Sequence, residues 1–120
     1  MKIISILNYG CGNLLSIKRA IEEVGYSPEI ISEKKEIEKA KFIILPGVGA
    51  FENAMSLLRY KNFIEPLKQF ALIDKKPLLG ICLGMQILLT KSFEMGEHKG
   101  LDFIPGIVTS LKKKKKKKGN

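Results

Sequence analysis

A cysteine between two glycines, in the segment Gly80-Ile81-Cys82-Leu83-Gly84, constrains the fold of this chain more than any other feature. The apolar run Leu78 to Ile81 predicts a buried strand, and a helical pattern follows to about Lys91. This is the spacing of a nucleophile on a sharp strand-to-helix turn, with cysteine where many hydrolases carry serine. The flanking glycines let the backbone pass close to its neighbours without a side-chain clash. The pattern predicts that Cys82 stands at the positive end of the helix, which favours a reactive thiolate.

The alternative is that Cys82 is a buried, unreactive thiol, because free cysteine is often buried. A second glycine-rich segment, Leu45-Pro46-Gly47-Val48-Gly49-Ala50-Phe51, favours the reactive interpretation, although alone it also fits an ordinary turn after a strand. Its glycines allow backbone N–H groups to point into a cleft. A thiolate that attacks an amide needs such donors, because the carbonyl oxygen becomes an oxyanion. The predicted donors are the N–H of Leu83 and that of Val48 or Gly49.

Strand-like and helical patterns alternate along the chain. Strands are predicted at 2–7, 29–32, 42–45, 78–81 and 106–111, and helices at 14–24, 33–41, 52–59, 62–73 and 83–91. This alternation predicts an α/β fold, with a doubly wound, mostly parallel sheet and helices on both faces. Because successive strand ends face one crevice in such a sheet, the two glycine segments are expected to meet there.

Both glycine segments, together with Asn8-Tyr9-Gly10-Cys11-Gly12-Asn13-Leu14-Leu15-Ser16, resemble a class I glutamine amidotransferase domain. They are most similar to the branch formed by the glutaminase subunits of imidazole glycerol phosphate synthases, and Gly100 to Gly106 is also similar to that branch. The resemblance implies a flavodoxin-like fold that is incomplete at its carboxyl end. The expected organisation is the first part of such a domain at 1–111 and a lysine-rich disordered tail at 112–120.

The resemblance also implies a reaction. Cys82 would attack the side-chain amide of glutamine, ammonia would leave, and water would release glutamate from the thioester. Gln86 and Glu94 would hold the glutamine, although Glu94 also fits a solvated acid at a helix end. The ammonia would pass to a synthase subunit, the heterodimeric partner, for histidine biosynthesis. No cofactor or metal is expected.

The family pairs its nucleophile with a histidine and a glutamate two residues later. His98 is the single histidine here, and Gly100 stands two residues after it. We therefore expect an incomplete triad and little or no activity. Two alternatives stay open: an ammonia donor to a sugar-modifying synthase of the same branch, or a non-catalytic fragment that only docks on the synthase.

The net charge of +9 suggests nucleic-acid binding only superficially, because Lys112 to Lys118 supply seven of the charges. Nucleotide binding by the Gly10–Gly12 loop is not predicted, because Leu15 occupies the place of the third glycine of that fingerprint. The sequence has no apolar run long enough for a membrane span. Two cysteines do not form a disulfide framework, and a reduced, cytoplasmic chain is expected.

Overall fold

A four-stranded parallel sheet forms the centre of the computed structural model, which describes residues 2–111. Its strands lie in the order β2-β1-β3-β4. Their bounds are β1 Ile3–Leu7, β2 Ser27–Ile31, β3 Ile43–Leu45 and β4 Leu78–Gly80. The predicted α/β fold with a parallel sheet is confirmed. The predicted tail at 112–120 lies outside the described residues.

Helices cover both faces of this sheet. They are α1 Leu14–Glu23, α2 Lys34–Lys39, α3 Phe51–Tyr60, α4 Ile64–Lys68, which continues as a π-helical turn Gln69–Ile73, and α5 Leu83–Gln86. Asn13 caps α1 as predicted, since its side chain accepts a hydrogen bond from the Ser16 N–H at 3.2 Å. None of the described helices is long and apolar enough to cross a membrane.

Two apolar cores fix these helices in place. On one face, Ile21 of α1 packs on Ile4, Ile6 and Ile44 of the sheet. The larger core on the other face joins the sheet to α2, α3, α4 and α5. Its largest fully buried members are Tyr9, Phe70, Leu7, Ile31, Ile37, Ile43, Leu45, Leu58, Leu67 and Ile87.

A second, three-stranded sheet corrects the predicted helix at 83–91. The helix ends at Gln86, and β5 Leu89–Ser92 follows it between β6 His98–Lys99 and β7 Ile104–Val108. The chain beyond β6 supplies hydrogen bonds that compete with the helix: Leu101 N–H donates to Ile87 O at 2.7 Å, and Asp102 N–H donates to Leu89 O at 3.1 Å. The strand predicted at 106–111 accordingly begins and ends earlier, because its pairing with β5 runs from Ile104 to Val108.

The strand that precedes Cys82 lies at the edge of the main sheet. Among the described strands, β4 pairs with β3 alone. Leu79 projects from β4 with 48% of its surface exposed. An apolar side chain is therefore exposed at this edge of the described sheet.

Candidate active site

Cys82 occupies a strained turn between β4 and α5. Its backbone has φ 55° and ψ −121°, a region that residues with a side chain rarely adopt, and that costs of the order of 1–3 kcal/mol. The turn is held by hydrogen bonds from Ile81 N–H to Leu45 O at 3.0 Å and from Met85 N–H to Cys82 O at 2.9 Å. The thiol is free and exposed. The interpretation of Cys82 as a buried thiol is therefore wrong.

The two glycines of the motif are required by close backbone contacts. A Cβ on Gly84 would lie 1.9 Å from Leu45 O, and one on Gly80 would lie 2.7 Å from Gly84 O. Both distances are far shorter than real Cβ contacts. The spacing of the motif thus follows from the packing of the turn against β3. The helix after Cys82 has only four residues, so its dipole supports a thiolate less than the predicted longer helix would.

The Pro46–Phe51 segment lies directly against this turn. Leu83 N–H donates to Gly47 O at 3.2 Å, and a Cβ on Gly47 would lie 2.9 Å from Gly84 N. The carboxyl ends of β3 and β4 therefore bring the two glycine segments together, as the topology predicts.

Two of the predicted oxyanion donors are bonded within the protein. Leu83 N–H donates to Gly47 O, and Val48 N–H donates to Cys11 Sγ at 3.4 Å. Gly49 has φ 97° and no atom within 4 Å of the place where its Cβ would stand, so this side of the segment is open. The role of these donors in catalysis stays a prediction.

Two residues of the β1–α1 loop, Tyr9 and Cys11, support the Pro46–Phe51 segment, and sequence reasoning assigned no role to either of them. Tyr9 Oη donates to Pro46 O at 2.6 Å, and burial raises the pKa of this phenol well above its usual range. Cys11 Sγ donates to Val48 O at 3.1 Å. The parallel-sheet pattern was the signal that could have indicated this support. In the sheet β1 is the neighbour of β3, so the loops that follow these two strands are adjacent.

A cavity of about 490 Å³ lies beside the Pro46–Phe51 segment. Its described lining consists of Gly49, Ala50, Phe51, Glu52, Ser92, Glu94, Met95, His98 and Ser110. The structure thus brings Glu94 together with Gly49, one of the predicted donors. Among the described residues, the lining includes neither Cys82 nor Gln86. Gln86 is half-buried at the end of α5.

His98 is one of the residues that line the same cavity. Its Nε2 lies 2.7 Å from Met95 O, and its Nδ1 lies 3.7 Å from Glu52 Oε1. These contacts tie β6 to α3. Within residues 2–111, no group of three or more His, Cys, Asp or Glu side chains is arranged to hold a metal ion.

Comparison with known proteins identifies the family of this chain. The family described as "Glutamine amidotransferase class-I" matches residues 5–119. The chain is 52% identical over 111 residues to the imidazole glycerol phosphate synthase subunit HisH 1 of Legionella pneumophila (strain Paris), a match that covers 92% of this chain and 52% of that protein. It is 46% identical over 108 residues to the HisH subunit of Carboxydothermus hydrogenoformans, covering 90% of this chain and 54% of that protein.

A solved structure, "Crystal structure of glutamine amidotransferase", matches with a TM-score of 0.74 at 20% sequence identity, over 88% of this chain and 55% of that one. It therefore supports the fold alone. This sequence spans about half the length of the curated relatives that it matches. The family match extends over almost the whole sequence, and the chain belongs to the class-I glutamine amidotransferase family.

Proposed function

We propose that Cys82 is the nucleophile of a glutaminase of the class-I glutamine amidotransferase family. The thiolate would attack the amide carbon of glutamine, so that an S–C bond forms. The C–N bond then breaks, and the leaving nitrogen takes up a proton and departs as ammonia. Water cleaves the thioester to glutamate and restores the thiol. The observation that carries the proposal is the exposed thiol of Cys82 on a strained turn beside the Pro46–Phe51 segment.

The N–H of Leu83 and that of Val48 or Gly49 are the proposed oxyanion donors. In the present conformation Leu83 N–H donates its hydrogen bond to Gly47 O, so it is not available to an oxyanion. Gly47 O and Val48 N–H belong to one planar peptide unit. Rotation of that unit would free Leu83 N–H and turn Val48 N–H away from Cys11 Sγ. Donors of this kind contribute about 10²–10³-fold to a rate.

Gln86 and Glu94 are the proposed glutamine-binding residues. The cavity lined by Glu94 is large enough for an amino acid, and Glu94 N–H is anchored on Ser92 Oγ at 3.2 Å. A carboxylate there would attract the α-ammonium group of glutamine.

The proposed recipient of the ammonia is the synthase subunit of imidazole glycerol phosphate synthase, in a heterodimer, because the similar proteins are named as HisH subunits of that synthase. An ammonia donor to a sugar-modifying synthase is the alternative within the same branch. A protein that docks without catalysis is the non-enzymatic alternative.

A chloroketone analogue of glutamine tests the nucleophile in the chain as it exists. We expect the L-enantiomer to alkylate Cys82 faster than the D-enantiomer, and we expect glutamine to protect the thiol; mass spectrometry locates the adduct. Iodoacetamide controls for intrinsic thiol reactivity, and Cys82→Ala should remove the adduct. Equal labelling by both enantiomers, without protection by glutamine, would contradict the proposal.

Co-purification with a synthase subunit separates the remaining alternatives. Stereoselective labelling together with synthase binding supports an ammonia-supplying subunit. Binding without stereoselective labelling supports a protein that only docks.

A further inference from the structure

A second cavity, of about 880 Å³, lies at the opposite end of the main sheet from Cys82. The strands of this sheet are parallel, so their amino ends share one edge, whereas Cys82 follows the carboxyl end of β4. The cavity lies between α2 and that amino edge, with Ala40 on one side and Ser5 of β1 on the other, and is called the amino-end cavity below. It shares none of its described lining residues with the cavity that contains Glu94.

Ser5 supplies a buried polar group to the amino-end cavity. The residue lies in β1, an interior strand, and is only 3% exposed. Its N–H donates to Phe42 O at 2.9 Å and is therefore used by the sheet. Its hydroxyl has no hydrogen-bond partner in the described part of the chain, where every fully enclosed side-chain nitrogen or oxygen does have one. The hydroxyl is thus in contact with the space of the cavity, where a ligand can bond to it.

Apolar groups form much of the wall of the amino-end cavity. They belong to Ile3, Ala40, Phe42 and Pro77. Ile3 is 51% exposed, so a large part of its side chain is in contact with water, and covering it with an apolar group is favourable. The volume is that of a site for a small organic molecule. An inorganic ion alone would leave the apolar wall in contact with water.

Three lysines, Lys2, Lys39 and Lys41, also line the amino-end cavity. Among residues 2–111, none of these three forms an ion pair with a carboxylate. Their ammonium groups are therefore available to a negatively charged ligand. A lysine ammonium is a compact point charge on a flexible stem, so it can adjust to anions of different shape.

Local hydrogen bonds reduce the negative charge that the cavity presents to a ligand. Two carboxylates, those of Glu29 and Glu36, line it. Oε1 of Glu36 is engaged at the start of α2, where it accepts two backbone N–H groups at 2.9 and 3.0 Å. At the other end of α2, Lys76 Nζ donates to Ala40 O at 3.1 Å and so covers a free carbonyl of the helix. The described lining therefore favours an anion.

We propose that the amino-end cavity binds a small organic anion, a carboxylate or sulfonate carried on an aromatic or aliphatic body. The body contacts the wall that contains Ile3 and Phe42, the anionic group lies among the lysines, and the Ser5 hydroxyl bonds to a polar group of the ligand. Substrates of such sheets bind at the carboxyl ends of the strands, so this site is separate from the candidate active site. The proposal goes beyond the glutaminase, because it stands whether or not Cys82 attacks glutamine.

Titration of the full chain with anilinonaphthalene sulfonate, followed by fluorescence, tests the preference for an anion. Phenylnaphthylamine is the control probe, because it has a similar aromatic body without the charge. We expect Lys39→Gln/Lys41→Gln to bind the sulfonate at least about fivefold more weakly and to bind the neutral amine unchanged. Lys34→Gln/Lys35→Gln is the matched control, because it removes the same charge from exposed positions of α2 outside the described lining, and it should change the affinity less than twofold.

Chemical-shift mapping by NMR with the same sulfonate shows where the probe binds. We expect the largest changes at the amides of Ser5, Ala40 and Phe42. Leu79 on the exposed sheet edge and Glu94 in the other cavity should change little, because neither lines the amino-end cavity. The mapping in the original chain decides the question if either double variant fails to fold.

Three results would overturn the proposal. Equal loss of affinity in the two double variants would show attraction by overall surface charge alone. Largest shifts at Leu79 or Glu94 would place the probe elsewhere. Absence of saturable binding of the sulfonate would show that the cavity does not accept an organic anion.

Discussion

Replacing Gly84 by alanine tests whether the turn at Cys82 depends on backbone proximity. The added Cβ would lie 1.9 Å from Leu45 O, 2.8 Å from Leu45 C and 3.1 Å from Pro46 C. These atoms belong to the backbone of a buried strand and the segment after it, so no flexible side chain can move aside. Reaching the 3.4 Å of ordinary contact requires α5 and β3 to separate by about 1.5 Å.

Two opposing terms decide the sign of the effect. Alanine is favoured over glycine within a helix by roughly 0.5–1 kcal/mol. Overpacking a well-filled interior costs typically about 1–3 kcal/mol, and a clash with fixed backbone lies at or above that range. We therefore expect Gly84→Ala to lose at least about 3 kcal/mol of the free energy of unfolding, a large part of what a domain possesses.

Urea unfolding followed by circular dichroism provides the measurement. Gly25→Ala is the matched control, because Gly25 has φ +89° but nothing within 4 Å of its added Cβ. That variant should lose only about 1–2 kcal/mol, from the left-handed backbone alone. A Gly84→Ala variant as stable as the original chain, or no less stable than Gly25→Ala, would refute the reasoning.

Four further predictions follow from the same structure. Burial raises the pKa of Tyr9 above its ordinary 10.0, so the folded state keeps the phenol proton that the unfolded chain releases. The contribution of Tyr9 to the free energy of unfolding is thus intact below pH 10 and declines above it, by up to about 1.4 kcal/mol per pH unit. Unfolding measured as a function of pH should show that Tyr9→Phe removes this decline, whereas Tyr60→Phe, a change at an exposed tyrosine, retains it. Leu79→Lys should raise the soluble fraction measured by size-exclusion chromatography more than Tyr60→Lys does, because only Leu79 lies on the sheet edge. Glu94→Gln should weaken protection of Cys82 by glutamine about tenfold while iodoacetamide labelling stays constant, and equal protection would contradict its binding role. A polypeptide of these 120 residues should release no ammonia from glutamine above the level of Cys82→Ala, because His98 pairs with Met95 O and Glu52; release that Cys82→Ala abolishes would refute this.

The turn at Cys82 could be predicted from sequence because its requirements are local. Glycine at 80 and 84 reflects contacts within a few residues and with one neighbouring strand, and an apolar run marks that strand. The order of strands and helices followed from the same kind of pattern. Their neighbours in the sheet then placed the Pro46–Phe51 segment beside the turn.

The segment after α5 could not be predicted because its structure depends on distant pairing. Leu88, Leu89 and the residues after them satisfy a helical pattern as well as a strand pattern. Pairing of β5 with β7, supported by the bond from Thr90 Oγ1 to Asp102 Oδ1 at 2.8 Å, decides between the two patterns. Residues more than ten positions away therefore determine where the helix ends.

The contact between Cys11 and Val48 also could not be predicted from the sequence, because it depends on residues that are far apart in the chain. Glycines permit the three loops after β1, β3 and β4 to approach, but they do not determine which way each peptide faces. That choice falls to hydrogen bonds between loops 37 residues apart in the chain. The motif thus establishes where the nucleophile stands, whereas hydrogen bonds between separate loops determine how the peptide units around it are oriented.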